Sequence, residues 1–372
     1  MTVHGEGAPA YLTFRMTPQP GPIAAFAEEE ALRARQRYPD LLGMGLPVFF
    51  YTRELDLGGW EILGTGGDTP QSGRDALASY FRQRASEADA APARKKFQAA
   101  AEKLDWVVVN ELKVLGTRYR VVRAEQFIRM GPDGPEPPRP SDPDPARPGD
   151  SHKVPSRTKG FVIDPWTGTG ISEGLLKVDL ARSVRAQGTL PDAMYADSVR
   201  ARETHPGAVL LPAEFAVAER DEDGRWGPHT ASGTTPQGAR DSLALSFRVF
   251  TPVQEKLSEQ EREEYARAAN RLDEKGGAGI TVAGRRFRVT RVEQLVRIGP
   301  DGPEGPRPSD HDPEPPIGPH TRQLKADGLW KEEDEEPEPL TGDALELWNL
   351  MRKEEARRAA QGLNRGREAP PR

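Results

Sequence analysis

The sequence predicts an α+β fold: a tandem internal duplication giving two similar domains, each with a mainly antiparallel sheet covered by helices. Three observations predict it. The string RAEQFIRMGPDGPEPPRPSDPDP, Arg123 to Pro145, returns as RVEQLVRIGPDGPEGPRPSDHDP, Arg291 to Pro313. A second string, TPQSGRDALASYFR, returns as TPQGARDSLALSFR. The elements around both strings keep the same order at a nearly constant offset, and Gly131 maps onto Gly299, 168 positions on in a chain of 372 residues. Self-similarity of this kind is the mark of a repeated unit.

In chain order, the first repeat (residues 1–188) opens with a helical pattern, PIAAFAEEEALRARQRYP, answered by PDAMYADSVRARETHP. Pro39 and Pro206 stop these helices, because proline lacks the amide that would continue them. Apolar extended runs follow, Leu46 to Glu54 and Leu211 to Glu219, each turning into a short strand that carries Trp60 or Trp226. Each pair reads as a β-hairpin. The TPQ strings start the best-marked helices, with Thr69 and Thr235 as N-caps and proline at the first helical position. Leu77, Ala78 and Phe81 match Leu243, Ala244 and Phe247 as a core stripe. A further helix follows in each half, opened in the second by the capping box of Ser258 and Glu261. Phe97, Ala101 and Leu104 match Tyr265, Ala269 and Leu272.

Val107 to Val114 then reads as a strand, and RYRVVR and RFRVTR alternate arginine outward with Tyr119, Val121, Phe287 and Val289 inward. A short strand leads to Met130 or Ile298, where Pro-rich loops begin at 131–150 and 299–319. Closing helices complete the pattern, from Ser172 and over 342–361, each with a Ser or Thr cap and leucines at helical spacing. The second repeat (189–362) also holds an acidic insertion, 331–338, read as a solvated spacer, and residues 363–372 read as a disordered tail.

Net charge is −6, from 52 basic and 58 acidic residues, which gives no general pull towards nucleic acid or an anionic membrane. Without cysteine there is no disulfide, thiolate metal site or cysteine nucleophile. The N-terminus lacks a signal-peptide pattern and no apolar run approaches spanning length, so the expected location is cytoplasmic.

Together, RxxRxEQxxRxGPDGPExPRPSD and TPQxxRDxL resemble an uncharacterised family of actinobacterial proteins carrying a domain of unknown function. The resemblance covers most of the chain, from about Phe14 to the closing helix. It implies membership and brings no activity, cofactor or catalytic residue with it.

Candidate site residues come from the polar positions kept in both strings: Arg129, Asp133, Arg139 and Asp142, with Arg297, Asp301, Arg307 and Asp310. Pro-Asp-Gly makes a tight turn, and the proline-rich run after it favours polyproline II. One use for such a segment is an ordered strap, pinned across its own domain by Arg–carboxylate pairs. Another is a rigid ligand for a partner's aromatic groove, or a lip over a pocket. Arg118, Arg120, Arg123 and Arg129 and their counterparts at 286–297 raise the question of a nucleic-acid face. Strand alternation turns the neighbouring aromatics inward and removes the stacking platform. Asp142/Asp144 and Asp310/Asp312 suggest a hard cation, but a polyproline run splays such side chains, and Asx turns are the better use. The six histidines show no metal spacing, and no serine elbow or Walker loop is present. GTGISEG, from Gly168 with Thr167 before it, reads as a linker turn.

The expected function is non-enzymatic binding or scaffolding, through the paired Pro-rich loops or the groove between the repeats, with no cofactor and no metal. The partner is a protein or a small molecule, not nucleic acid and not a membrane. The alternatives are an enzyme with an Arg/Asp/Glu-lined site between the repeats and a nucleic-acid binder using the arginine-bearing strands.

Overall fold

The computed structural model describes residues 8–18, 20–183, 188–230, 233–330 and 339–362. The acidic insertion 331–338 and the tail 363–372 lie outside the described residues. The first half runs α1 (Pro22–Arg37), β1 (Asp40–Gly43), β2 (Val48–Glu54), β3 (Trp60–Gly67), α2 (Pro70–Glu87), α3 (Ala91–Trp106), β4 (Glu111–Val114), β5 (Thr117–Gly131), β6 (Gly134–Pro135), β7 (Val162–Ile163) and α4 (Ile171–Arg182). The second runs α5 (Asp192–Thr204), β8 (Gly207–Arg220), β9 (Trp226–Pro228), α6 (Pro236–Leu245), α7 (Thr251–Gln254), α8 (Glu259–Lys275), β10 (Gly279–Val282), β11 (Arg285–Gly299), β12 (Gly302–Pro303), α9 (Ile317–Ala326) and α10 (Gly342–Ala360). A π-turn, Ser246–Phe250, joins α6 to α7.

The helix starts follow their local chemistry. Thr69 and Thr235 each accept a hydrogen bond from the amide of the third residue on, Ser72 or Gly238, and Ser258 and Glu261 close the capping box. The cores follow the helical stripes. Leu77, Phe81, Phe97 and Leu104 pack on Phe49, Tyr119 and Val121. Leu243, Phe247, Tyr265 and Leu272 pack on Phe215, Phe287 and Val289.

The halves were expected to carry a sheet each. Instead, the strands form one antiparallel sheet ordered β7-β3-β2-β5-β11-β8-β9, with the short strands attached to β5 and β11. The seam is β5 against β11, with Ala124 opposite Val296, Gln126 opposite Gln294 and Ile128 opposite Val292. Each seam strand is paired on its other edge by β2 or β8, so this joint leaves neither strand with a bare row of amides. A third core bridges the halves, with Phe50, Trp60, Ile62, Val122 and Ala124 against Val209, Leu211, Val296 and Ile298.

Beyond the seam the two strands diverge, and the Pro-rich segments fill the gaps. The Glu136 amide donates to Arg129 O of its own strand, while its carbonyl accepts from Arg291 N of the other half. Glu304 does the same between Arg297 O and Arg123 N. Each segment is therefore a strap across the opposite half, not its own. The crossing continues at the helix starts. Asp312 accepts from Gln71 N at 2.8 Å and pairs with Arg74 at 2.5 Å, and Asp144 accepts from Gln237 N at 2.8 Å and pairs with Arg240. A carboxylate meets the exposed amides and the positive end of the dipole at both places.

The crossing also explains two glycines. Gly134 and Gly302 have φ of +107° and +108° and lie under Trp226 and Trp60 of the opposite halves. A Cβ at Gly302 would stand 2.6 Å from Trp60 Nε1. Gly302→Ala is expected to cost about 1–3 kcal/mol in urea unfolding, through left-handed strain and loss of the indole contact. Gly116→Ala, at φ +91° with open space around it, is expected to cost clearly less. Equal losses would show that the indole contact contributes nothing.

Candidate functional site

Where the straps cross, charged side chains are buried in two matching sets. Around the first, Glu125 receives Arg307 at 2.8 Å, Arg123 at 3.1 Å and Arg297 at 3.2 Å. Arg123 also pairs with Asp310 at 2.9 Å, and Arg307 with Glu304 at 2.6 Å. Burial raises the Glu125 carboxyl, but Arg307, Arg297 and Arg123 outweigh it and hold it down at about 2. In the second set, Arg291 pairs with Asp142 at 3.1 Å and with Glu293, and Arg139 with Glu136 at 2.6 Å. Burial lowers the Arg291 guanidinium, yet Glu293, Asp142 and Glu136 more than offset it and raise it overall.

The sets differ at one position. Arg297, 2% exposed, donates from Nη1 to Ala181 O at 3.0 Å and from Nη2 to Leu180 O and Ser183 O at 3.4 Å. These carbonyls end α4, so the negative end of a helix fills that recess. What remains there is a space of about 50 Å³, lined by Gly45, Pro47, Met194 and Ser198 besides the charged groups. Arg129, the counterpart, is 4% exposed, and its Nε has no hydrogen-bond partner among the described residues. Its ion pair to Glu136 stretches to 4.0 Å. Burial lowers its affinity for the proton, with Glu136 and Glu293 pulling the other way.

Arg129 opens on a cleft of about 670 Å³. One wall is α1, with Ala24, Ala27, Ala31 and Leu32; another is β8, with Val209, Leu211 and Ala213. The first strap supplies Arg139, Ser141 and Asp142, and α4 contributes Glu173, Leu176 and Lys177. Lys177 is 6% exposed, and its nearest carboxylate, Glu173, is 4.0 Å away. Burial lowers the Lys177 ammonium, while Glu173 raises it. Glu173 stands at the mouth, where the surrounding protein raises its carboxyl and Lys177 lowers it. The amide of Ser172 at the start of α4 is already taken by Glu28 at 2.9 Å.

The candidate site residues thus divide into three groups. Arg129, Arg139 and Asp142 meet at the open cleft, and Arg297, Arg307 and Asp310 meet at the filled recess. Asp133 and Asp301 belong to neither. Asp133 pairs with Arg37 at 3.1 Å on the surface, and Asp301 pairs with Arg118 at 2.9 Å and with Arg120. The outward-facing arginines are covered, since Arg120 and Arg123 are buried beneath the opposite strap. The paired aspartates do not converge. Asp142 closes a turn on Arg139 N at 2.8 Å and serves Arg291, while Asp144 caps α6. Among the described residues no group of three or more His, Cys, Asp or Glu is placed to hold a metal ion.

Sequence reasoning missed the walls on α1 and α4. GTGISEG is more than a turn: Thr169 bridges to Met16, Gly168 and Gly170 line the cleft, and Gly170, not Ser172, is the N-cap of α4. The closing helices are not equivalent either. α4 packs on the sheet beside the cleft, whereas α10 turns its buried Glu354 to Arg248, Arg357 and Arg358. The i, i+4 spacing of Glu173 and Lys177 was the one signal of polar work on α4.

Fold and cleft define the class: an α+β protein with one large antiparallel sheet, clasped by two crossing straps, with a single-sided charged cleft. The chain belongs to the family of unknown function DUF5954, whose model matches residues 21–313 and so ends before α9 and α10. No significant match was found among curated proteins or among solved structures. No helix among the described residues is long and apolar enough to cross a membrane.

Proposed function

We propose that this chain is a duplicated, strap-exchanged binding protein of the cytoplasm, of actinobacterial origin, that holds a small molecule in the cleft between α1, α4 and the first strap without transforming it. One observation carries the reading: a cleft of about 670 Å³ ends on a buried arginine whose Nε has no partner. Buried donors are seldom left unsatisfied, the Gln294 amide at the seam being another case, but among the described residues only Arg129 adjoins a concave, partly apolar space of the kind where ligands sit. The straps support the same reading by their use. Their charged groups are consumed in holding the halves together, so the groove, rather than the loops, is left to meet a partner. The pairing of Arg118, Arg120 and Arg123 with carboxylates argues in the same direction against a nucleic-acid face.

The test is a thermal-shift screen of a metabolite panel against wild type and Ala27→Trp, a change that fills the cleft from α1. Compounds that bind there are expected to raise the Tm of wild type and leave that of Ala27→Trp unmoved. Recovery of each hit unchanged after overnight incubation supports binding without turnover. If no compound distinguishes the two proteins, the cleft is not a binding site.

A further inference from the structure

We propose that the ligand of this cleft is a small organic acid, a carboxylate or phosphate monoester joined to an apolar body, with its acid group seated on Arg129. The proposal rests on the binding reading above and adds the chemistry of what binds. The filled recess shows what this arginine takes when it is satisfied. Arg297 occupies the corresponding place, and three carbonyl oxygens at the negative end of α4 converge on its guanidinium. Among the described residues no carbonyl takes up Arg129 in this way, and the side chain lines the cleft instead. Oxygen acceptors carrying negative charge complete it in the way the helix end completes Arg297, and a planar guanidinium matches carboxylate and phosphate best.

A second buried cation points the same way. Lys177 reaches its nearest carboxylate only at 4.0 Å, as Arg129 does. Two buried cations with such distant counter-charges are costly in an empty site, and an anion entering the cleft offsets that cost. Of the other charges around the cleft, the exposed Arg157 adds a further cation at its surface, and most of the rest are already matched. Arg139 is held by Glu136, Arg291 by Asp142 and Glu293, Arg35 by Asp179 at 3.0 Å, and Glu28 by Ser172 N. The apolar body follows from the opposite walls, Ala24, Ala27, Ala31 and Leu32 on α1 and Val209 and Leu211 on β8.

The probes are hexanoate, hexyl phosphate and uncharged hexanamide, titrated calorimetrically into the full chain. Either acid is expected to bind wild type more tightly than the amide, and Arg129→Gln to weaken the preferred acid by roughly tenfold to a hundredfold. Hexanoate over hexyl phosphate identifies a carboxylate ligand, and the reverse identifies a phosphate ester. A second readout needs no ligand. Arg129→Met removes a buried charge whose counter-charge is distant and is expected to raise the Tm of the free protein, whereas Arg297→Met strips three carbonyls and Glu125 of their donor and is expected to lower it. Equal binding of acid and amide, both blocked by Ala27→Trp, would overturn the acid assignment and leave the binding reading standing. An Arg129→Met protein destabilised as much as Arg297→Met would overturn it too, by showing Arg129 to be a structural tie. A cleft that takes none of the probes in an Ala27→Trp-sensitive manner overturns this proposal, whereas the wider reading falls only with the panel screen.

Discussion

Glu125→Gln is expected to cost about 3–5 kcal/mol of unfolding free energy at neutral pH, the loss typical of a buried charge deprived of its partner. Three guanidiniums, from Arg123, Arg297 and Arg307, converge on this carboxylate. Glutamine preserves its size but removes the charge and turns an amide donor towards donors. Arg307 retains Glu304 and Arg123 retains Asp310, so the heaviest loss falls on Arg297, left with neutral carbonyls alone. The same group sets an acid limit. Its folded pKa, about 2, lies below the ordinary glutamate value near 4.3, so its contribution is present above about pH 5 and is lost as pH falls towards 2. That window corresponds to on the order of 3 kcal/mol. Urea unfolding of wild type and Glu125→Gln at intervals from pH 7 to pH 2 reads both effects. The gap between the proteins should close as pH drops; a gap that stays constant would sink the assignment of this carboxylate as the acid-sensitive tie.

Local rules read well from the chain, and long-range ones did not. Thr69, Thr235 and the Ser258–Glu261 box identified their helix starts because capping involves neighbours three residues apart. Leu77 with Phe81, and Tyr265 with Leu272, revealed buried faces through helical spacing. The strap was legible as a strap, with its arginines and aspartates named, but its destination was not. Two near-identical strings offer Asp142 or Asp310 to Arg123 or Arg291 with equal chemistry, so composition cannot tell an own-half pair from a crossed one. The seam decides it, because β5 and β11 carry each strap to the far side. The difference between Arg129 and Arg297 was hidden for the same reason. Both stand in the same string, and only the docking of α4 against one of them separates a filled recess from an open cleft. Leucine spacing made α4 and α10 look alike, although spacing describes a face and not what it is packed against.

Expressed apart, residues 1–187 and 188–372 are each expected to fail as a folded monomer, and to regain the full chain's thermal transition when mixed. Alone, the first half exposes the β5 edge from Ala124 to Ile128, since its partner there is β11. It loses the hydrophobic contacts of Val122 and Ala124 with Val209, Leu211 and Val296. Arg123 is left buried beneath nothing, without Asp310 or the Glu304 carbonyl to which its amide donates. The start of α2 loses Asp312, and Trp60 loses the strap glycine beneath it. The second half suffers the mirror losses at Arg291, Gln237 and Trp226. Each loss is about 1–3 kcal/mol, and several together exceed the 5–15 kcal/mol by which a domain is normally stable. The exchanged strap also supplies the means of recombination, because the missing parts of one half are what the other presents. Light scattering and circular dichroism on the separate and mixed halves decide it. A half that is monomeric and melts cooperatively near the full chain's Tm would show that the crossed straps are an accessory to two self-sufficient domains; a mixture that forms a one-to-one complex with the full chain's melting curve would show that the exchange is what makes either half fold.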